Sequence, residues 1–397
     1  MTDTIVQLVV SKHADEVPIL LHMRNRFLRS ASTYPSDLRA LDKRLAANLE
    51  GLAIAGEEGW RAAVALFEDR PEPATVTAIA NLAYFHENDL YLTYLRNALA
   101  NDHLLIEMAA FGLSWLGPKR VKKIIQSHWA GENDTDTATA LACSLIYDLQ
   151  PCSHDIDAFF TRNKLVHLWA IKVAGWYNLQ SVLPYIIATK TENDPLMATA
   201  CDTALVLLRH DHTAIYRILN SPKNNPYHKQ KLFEIALLGL DPDERVQWWH
   251  KQDDPDLRLR AAYIISDRRC VPWLLEQCEE GAYADEAIEC IHQITSFDVE
   301  NMISESVSEE IANPFAVAPK TPQNPVENLS TWWRSAGEKI PDGPVFLASP
   351  FDQISLKDEV KTVSLSVRQT LALHHRLKLK TVDLPIGQSP NLQDFKT

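Results

Sequence analysis

Carboxylates crowd one part of this 397-residue chain, and they are the side chains best suited to do chemistry. Residues 241–311 contain 18 Asp and Glu but only 6 Lys and Arg, so this segment holds twelve of the thirteen net negative charges. Neighbouring carboxylates can act as general acid and base, or their summed charge can attract a basic partner. The acidic segment could therefore serve either catalysis or binding.

The sequence around the carboxylates favours binding. The adjacent pairs Asp253-Asp254 and Asp285-Glu286 have no recognisable base or nucleophile beside them. The segment therefore predicts either a solvated surface or a docking surface for a basic protein, because complementary fields raise association rates and exclude wrong partners. The docking hypothesis rests on seven residues: Asp253, Asp254, Asp256, Glu279, Glu280, Asp285 and Glu286.

Other patterns that carry chemistry are missing from the sequence. GxxxxGK[ST], GxGxxG, HExxH, GxSxG and EF-hand patterns do not occur. Histidines are dense only at His210-Asp211-His212 and His374-His375, where adjacent or alternate helical positions face different ways. We therefore expect a non-enzymatic protein without cofactor or metal.

Cysteine and tryptophan usage favours packing over reactivity. Six cysteines fall mostly in apolar, helix-like segments, and no CxxC pair occurs, which predicts buried, reduced thiols. Trp248-Trp249 and Trp332-Trp333 are interpreted as packing wedges between helices rather than as ligand platforms.

Helical repeats must position these residues. Apolar helix cores recur at intervals of 27 to 32 residues from Glu57 onward, with a shorter amphipathic helix between successive cores. Such a period, with two helices per repeat, is typical of an α-solenoid. The marker residues are Leu82, Leu113, Leu145, Val173, Leu205, Leu237, Ile264 and Ile291.

The two ends of the chain differ from the repeats. Residues 1–56 predict an N-terminal helical cap, with one helix over Val17 to Arg29 and another carrying Leu38, Leu41, Leu45, Leu49 and Leu52 on one face. Residues 57–311 form the predicted repeat array, and 312–330 a proline-rich linker. Residues 331–397 predict a C-terminal cap with a short helix from Ser330, a strand or β-like loop over 344–351, and a long helix from Ser355 to Lys378.

A family resemblance adds to this interpretation. The segment LDKRLAANLEGL (41–52), followed by Gly56 and Trp60 and later by Trp332-Trp333, resembles a family of HEAT-like proteins. These proteins are encoded in bacterial type VI secretion gene neighbourhoods, often beside PAAR-type effectors. The resemblance implies HEAT-like helix pairs, and it carries over no catalytic residues.

The combined expectation is a scaffold that binds another protein. In a secretion gene neighbourhood, the acidic segment 241–311 favours an immunity protein that neutralises a basic, nuclease-type effector toxin, and the alternative is an adaptor that loads an effector onto the secretion spike. A repeat-fold nucleic-acid glycosylase would need a basic groove, and the net charge of −13 disfavours nucleic-acid binding. The chain shows no secretory signal and no apolar run long enough to span a bilayer, which predicts a cytoplasmic protein.

Overall fold

The computed structural model is helical through nearly all of the residues that it describes. These are residues 2–28, 35–100, 102–147, 149–151, 153–190, 194–220, 226–280, 282–297, 325–343, 345–346 and 349–350, with 370, 373 and 377. They belong to two compact units, 1–218 with 361–397, and 219–360. The strands among them are β1 (Val345–Phe346) and β2 (Ser349–Pro350), which pair antiparallel. The predicted all-α class is confirmed.

The first unit contains thirteen α-helices whose bounds lie in the described residues, the last of which ends one residue past the unit. They are α1 (Thr2–Phe27), α2 (Pro35–Ile54), α3 (Glu57–Asp69), α4 (Pro73–His86), α5 (Asp89–Leu99), α6 (His103–Ser114), α7 (Pro118–Trp129), α8 (Asp134–Tyr147), α9 (Ser153–Phe159), α10 (Lys164–Trp176), α11 (Leu183–Thr189), α12 (Pro195–Arg209) and α13 (His212–Leu219).

The second unit contains six helices in its described part, followed by the β1–β2 pair. They are α14 (Pro226–Gly239), α15 (Pro242–His250), α16 (Pro255–Ile265), α17 (Val271–Glu280), α18 (Ala284–Thr295) and α19 (Pro325–Ala336).

Helix starts are encoded locally and recur with the repeat. The even-numbered helices from α4 to α12 begin at residues 73, 103, 134, 164 and 195. Side chains of Asp102, Asn163 and Asp194 accept hydrogen bonds from the first turns of α6, α10 and α12, which satisfies backbone donors that a helix start leaves open. Proline begins α4 and α12, where its missing N–H costs nothing.

Successive even-numbered helices of the first unit lie parallel and in register. Thr77 Oγ1 donates to the Met108 carbonyl at 3.5 Å, and Asn81 Nδ2 donates to the Gly112 carbonyl at 3.1 Å. One repeat later, Tyr147 Oη donates to the Ser114 carbonyl at 2.5 Å. These bonds link positions 31 or 33 residues apart, so each repeat packs on its neighbour in sequence, as the periodicity predicts.

The marker residues show how well apolar periodicity finds the core. Seven of the eight are buried, and Leu145 alone is half-buried. The leucine face predicted for α2 is also buried throughout. The five described cysteines are buried, as expected, whereas Cys152 lies outside the described residues.

Close packing between repeats yields a stability prediction at Gly112. A Cβ built there would lie 2.4 Å from the Thr77 carbonyl oxygen, which is backbone and cannot turn away. We expect Gly112→Ala to lower the free energy of unfolding by about 1–3 kcal/mol, the usual cost of overpacking. Urea unfolding followed by circular dichroism measures it. Gly131→Ala is the control, because its nearest contact is 3.4 Å and a methyl group fits there.

The ends of the chain depart from prediction in two places. Helix α1 begins at Thr2 and runs through Pro18, so the predicted start at Val17 is wrong. Helix α19 begins at Pro325, inside the predicted 312–330 linker, whereas 312–324 lie outside the described residues. The β1–β2 pair confirms the predicted strand or β-like loop. Of the predicted helix 355–378, only residues 370, 373 and 377 are described, and all three are helical.

Candidate partner-binding surface

The seven carboxylates of the docking hypothesis belong to three helix ends of the second unit. Asp253, Asp254 and Asp256 lie at the start of α16. Glu279 and Glu280 form the last turn of α17, and Asp285 and Glu286 form the first turn of α18. Asp253 and Glu280 are 27 positions apart in the sequence, but the helices that carry them are neighbours in the fold.

Short connections bring these three ends to one edge of the second unit. Only residues 281–283 separate α17 from α18, so the two helices form an antiparallel pair. Gln293 Nε2 donates to the Tyr263 carbonyl at 2.9 Å, and Tyr263 Oη donates to the Glu286 carbonyl at 2.8 Å, which places α18 beside α16. The 30-residue offset of the first bond matches the parallel pairs of the first unit. We call the seven residues the acidic edge.

Most of the acidic edge faces solvent without neutralising partners. Asp253, Asp256, Glu279, Asp285 and Glu286 are exposed, and none forms an ion pair with any residue that the structure describes. Asp254 is half-buried and accepts hydrogen bonds from the Asp256 and Leu257 amides, so its side chain caps α16. The edge therefore combines one structural carboxylate with several that make no described ion pair.

Helix dipoles separate the carboxylates that stabilise the fold from those that do not. The starts of α16 and α18 carry partial positive charge, so Asp256, Asp285 and Glu286 are well placed there. Glu279 and Glu280 lie at the end of α17, where the dipole is negative, and the carboxylates that begin α18 follow after a three-residue connection. Helix stability therefore explains only part of the acidic edge.

Two arginines of the same segment are engaged elsewhere. The Arg258 guanidinium lies over two indole rings that meet edge to face, 4.4 Å from the ring centre of Trp249 and 4.6 Å from that of Trp273. Arg245 is buried, donates to the Leu238 and Leu240 carbonyls at the end of α14, and has its pKa lowered to about 10 by burial. Neither guanidinium offsets the charge of the exposed carboxylates by an ion pair.

At the opposite edge of the second unit, two arginines pair with three carboxylates. Arg269 bridges Asp243 and Asp267, and Arg268 pairs with Asp342. The carboxylate excess counted along 241–311 is therefore not uniform in space, because these acids are matched by arginines. By contrast, the five exposed carboxylates of the acidic edge form no ion pair with any described residue.

The position of Glu279 and Glu280 predicts a gain in stability on neutralisation. We expect Glu279→Gln/Glu280→Gln to raise the free energy of unfolding by about 0.3–1 kcal/mol per residue, because an unfavourable dipole interaction and like-charge repulsion disappear. Asp254→Ala is the opposing variant and is expected to cost about 1 kcal/mol through loss of the cap. Chemical denaturation at low salt checks both, and a loss of stability in the glutamine variant would contradict this assignment.

The other sequence features have structural roles or fall outside the description. His210 ends α12 in the left-handed region (φ 52°), its Nε2 lies 3.1 Å from the Leu377 carbonyl, and Asp211 caps α13. His374-His375 lie outside the described residues. No group of three metal-ligating side chains occurs among the residues that the structure describes. Trp249 is fully buried, which agrees with its interpretation as a packing wedge.

The described helices were compared with membrane-spanning helices, and the chain was compared with known proteins. Among the described helices, none is long and apolar enough to cross a bilayer. Comparison of the chain with models of protein families, with curated proteins and with solved structures found no match.

Proposed function

We propose that this chain is a non-enzymatic protein-binding scaffold whose acidic edge docks a basic protein. The single observation that carries the proposal is the cluster of seven carboxylates, five of them exposed, at three helix ends, two members of which lie where the helix dipole disfavours them. A surface that serves only solubility does not require carboxylates at the negative end of a helix dipole. A binding surface tolerates this placement, because a cationic side chain of the partner offsets the unfavourable electrostatic energy of the carboxylates.

The proposed architecture is a HEAT-like array closed by caps. Helices α1 and α2 contact α4, the first repeat helix of the first unit, and so would shield it as an N-terminal cap over residues 1–56. In the second unit, α19 contacts α17 and β1 contacts α18, which supports a C-terminal cap beginning near residue 331. Arrays of this kind expose long edges, and an edge suits a partner with an extended basic surface.

The proposed biological role is immunity against an effector toxin of nuclease type. A nuclease binds its substrate through Lys and Arg that contact phosphates, so its active face is basic. An acidic surface can compete with the phosphate backbone for that face. The resemblance to proteins of type VI secretion gene neighbourhoods supports this choice of partner.

Charge reversal at the acidic edge tests the docking. We expect Asp256→Lys/Glu279→Lys/Glu280→Lys to weaken binding of the neighbouring gene's effector by about a hundredfold or more, and to flatten its dependence on salt. Asp254 is left intact because it caps α16. Glu50→Lys/Asp69→Lys/Glu132→Lys makes the same charge change on exposed residues of the first unit and is the matched control. Equal affinity of the two triple variants would leave the acidic edge as a solvated surface.

Cell-based measurements distinguish immunity from the adaptor role. If the chain confers immunity, its co-expression restores growth of cells that make the effector, and a deletion strain is killed by its siblings while export continues. If the chain is an adaptor, deletion abolishes effector export and the strain survives beside its siblings. Toxicity undiminished by co-expression would exclude immunity.

A further inference from the structure

Aromatic rings form a continuous ladder across one edge of the first unit. Trp60 stacks on Tyr91, with 3.9 Å between ring centroids and 5° between ring planes. Tyr91 meets His86 edge-on at 6.0 Å, and His86 meets Phe85 at 5.1 Å. Tyr94 adds an edge contact to Trp60 at 5.7 Å. The ladder thus extends from α3 across α4 to α5.

Two tight connections place these rings side by side. Helix α3 follows Gly56, whose φ of 59° lets the chain reverse after α2. Helix α4 ends at Glu87 in the left-handed region, and the Asn88 side chain immediately caps α5. The start of α3, the end of α4 and the start of α5 therefore lie at the same edge, so their side chains share one surface.

Large apolar side chains at this edge remain exposed. Leu90 is 78% exposed and Phe85 is 42% exposed, and Ile54, the last residue of α2, is 79% exposed. Single exposed apolar residues are ordinary on protein surfaces. Here the Phe85 ring contacts His86, which in turn meets Tyr91, and Leu90 directly precedes Tyr91 in the chain. Trp and Tyr are residue types that dominate the energetics of protein interfaces. This continuity distinguishes the surface from scattered exposure.

The charges around the rings are predominantly negative. Glu57, Glu58, Glu87 and Asp89 lie within the same turns, against Arg61 and Arg120. Both Glu57 and Glu87 keep more than half of their side-chain surface exposed despite their arginine partners. A partner that covers the rings therefore meets carboxylates at the border.

Arg120 shows how a cationic side chain binds at this surface. Its guanidinium lies 5.3 Å from the centre of the Phe85 ring, and its Nη2 donates to the Glu87 carboxylate at 3.0 Å. An arginine on a ring beside a carboxylate gains both cation–π attraction and a charge-assisted hydrogen bond. Asp89 is exposed and forms no ion pair with a described residue, so a cationic side chain from another protein can bind it and share the partly exposed Glu57 and Glu87.

We propose that this surface, the aromatic edge formed by Trp60, Phe85, Leu90 and Tyr91 with Glu57, Glu58, Glu87 and Asp89, docks a basic amphipathic helix of another protein. The apolar face of the helix covers Phe85 and Leu90, and its Lys and Arg side chains reach the bordering carboxylates. The aromatic edge lies in the first unit and shares no residue with the acidic edge, so the inference stands without the proposed function.

A binding experiment with a defined probe tests the inference on the full-length protein. The probe is a labelled peptide of about 18 residues with leucine on one helical face and lysine on the other, compared with the same peptide carrying glutamate instead of lysine. Fluorescence anisotropy gives the dissociation constants for wild type, for Phe85→Gln/Leu90→Gln and for Leu8→Gln/Ile19→Gln. The last variant is the matched control, because Leu8 and Ile19 on α1 are 71% and 53% exposed.

We expect the lysine peptide to bind at least about tenfold more weakly to Phe85→Gln/Leu90→Gln than to wild type, and the control variant to match wild type. The glutamate peptide should not bind. Glu279→Lys/Glu280→Lys should leave the tenfold ratio unchanged, which separates this surface from the acidic edge. Circular dichroism and melting temperature confirm that each variant is folded.

Several outcomes would overturn the inference. Equal affinity of both glutamine variants for the lysine peptide would remove the aromatic edge as its site. Equal binding of the lysine and glutamate peptides would remove the charge argument. Sedimentation velocity that shows a dimer broken by Phe85→Gln/Leu90→Gln would assign the surface to a second copy of this chain. Tighter binding of a peptide of residues 312–325 than of the lysine peptide would assign it to a proline-rich ligand instead.

Discussion

Replacement of Arg24 by methionine is expected to lower the free energy of unfolding by about 3–5 kcal/mol. Arg24 Nε donates to Asp42 Oδ1 at 2.8 Å, and the two side chains are only 2% and 5% exposed. The guanidinium also lies 5.1 Å from the Phe111 ring of α6, so it ties α1 and α2 to a repeat helix. Methionine keeps the aliphatic packing and leaves the Asp42 carboxylate buried without its cation.

The state of Asp42 explains why the loss is large. Burial raises the pKa of Asp42 even though the nearby Arg24 opposes that shift, so desolvation of the carboxylate outweighs the attraction. A buried ion pair of this kind contributes little net stability, yet removal of one partner leaves an uncompensated charge. The double variant Arg24→Met/Asp42→Leu is therefore expected to recover most of the lost stability.

A matched exposed pair provides the control. Arg44 pairs with Glu16 at 3.3 Å, also between α2 and α1, with side chains 60% and 30% exposed. Because solvent screens such a pair, Arg44→Met should cost no more than about 1 kcal/mol. Urea unfolding followed by circular dichroism measures all three variants. If Arg24→Met costs no more than Arg44→Met, the burial argument is wrong.

The repeat helices were predictable from sequence because their signals are local. Asp194 precedes Pro195 at the start of α12, and Asp254 precedes Pro255 at the start of α16, each as a cap followed by a proline. Between such starts, apolar residues mark the buried face, and seven of the eight chosen markers lie in the core. Propensity and pattern agree at these positions, so the boundaries follow from them.

Helix α1 shows where local signals fail. Pro18 reads as a helix start because proline is favoured in a first turn, whereas here it lies inside a 26-residue helix. Buried contacts of Val17, Leu20 and Leu21 hold the helix together on both sides of the proline. Their packing against other helices is a tertiary effect that the segment itself does not display.

The candidate surfaces show a similar limit. A count along 241–311 locates an acidic excess, but it does not reveal that Arg268 and Arg269 neutralise acids at one edge only. The aromatic edge was missed altogether, because Trp60, Phe85 and Tyr91 belong to three different helices and each looks like an ordinary core residue in its own segment. Only the fold brings such residues together.

Asp267→Ala is expected to lower the free energy of unfolding of the second unit by about 3–5 kcal/mol, since two backbone donors of half-buried residues and the Arg269 guanidinium lose a fully buried acceptor. The fully buried Asp267 carboxylate accepts from the Arg269 amide at 2.9 Å and from the Gly343 amide at 3.1 Å. It also binds the Arg269 guanidinium, and this hydrogen bond is the main reason that the pKa of Arg269 is raised.

Because the Gly343 amide donates to Asp267, we expect Asp267→Ala also to destabilise the segment that follows α19. Beside Asp267, Ser266 accepts a hydrogen bond from the Val345 amide at 2.8 Å and donates its hydroxyl to the Val345 carbonyl at 2.5 Å. In Asp267→Ala, the hydrogen bonds of Ser266 still connect β1 to the end of α16, but the hydrogen bond from the Gly343 amide to Asp267 is lost. Amide exchange at Gly343 and Val345 should then accelerate more than exchange in α16 or α18.

The exposed neighbour Asp342 separates this anchoring from a general loss of charge. Asp342 pairs with Arg268 and is 63% exposed, so Asp342→Ala removes one carboxylate from the same edge at a cost of no more than about 1 kcal/mol. Hydrogen exchange with mass spectrometry on both variants compares the two effects. Equal acceleration at Val345 in the two variants would show that surface charge, rather than the buried Asp267 carboxylate, holds the segment after α19 in place.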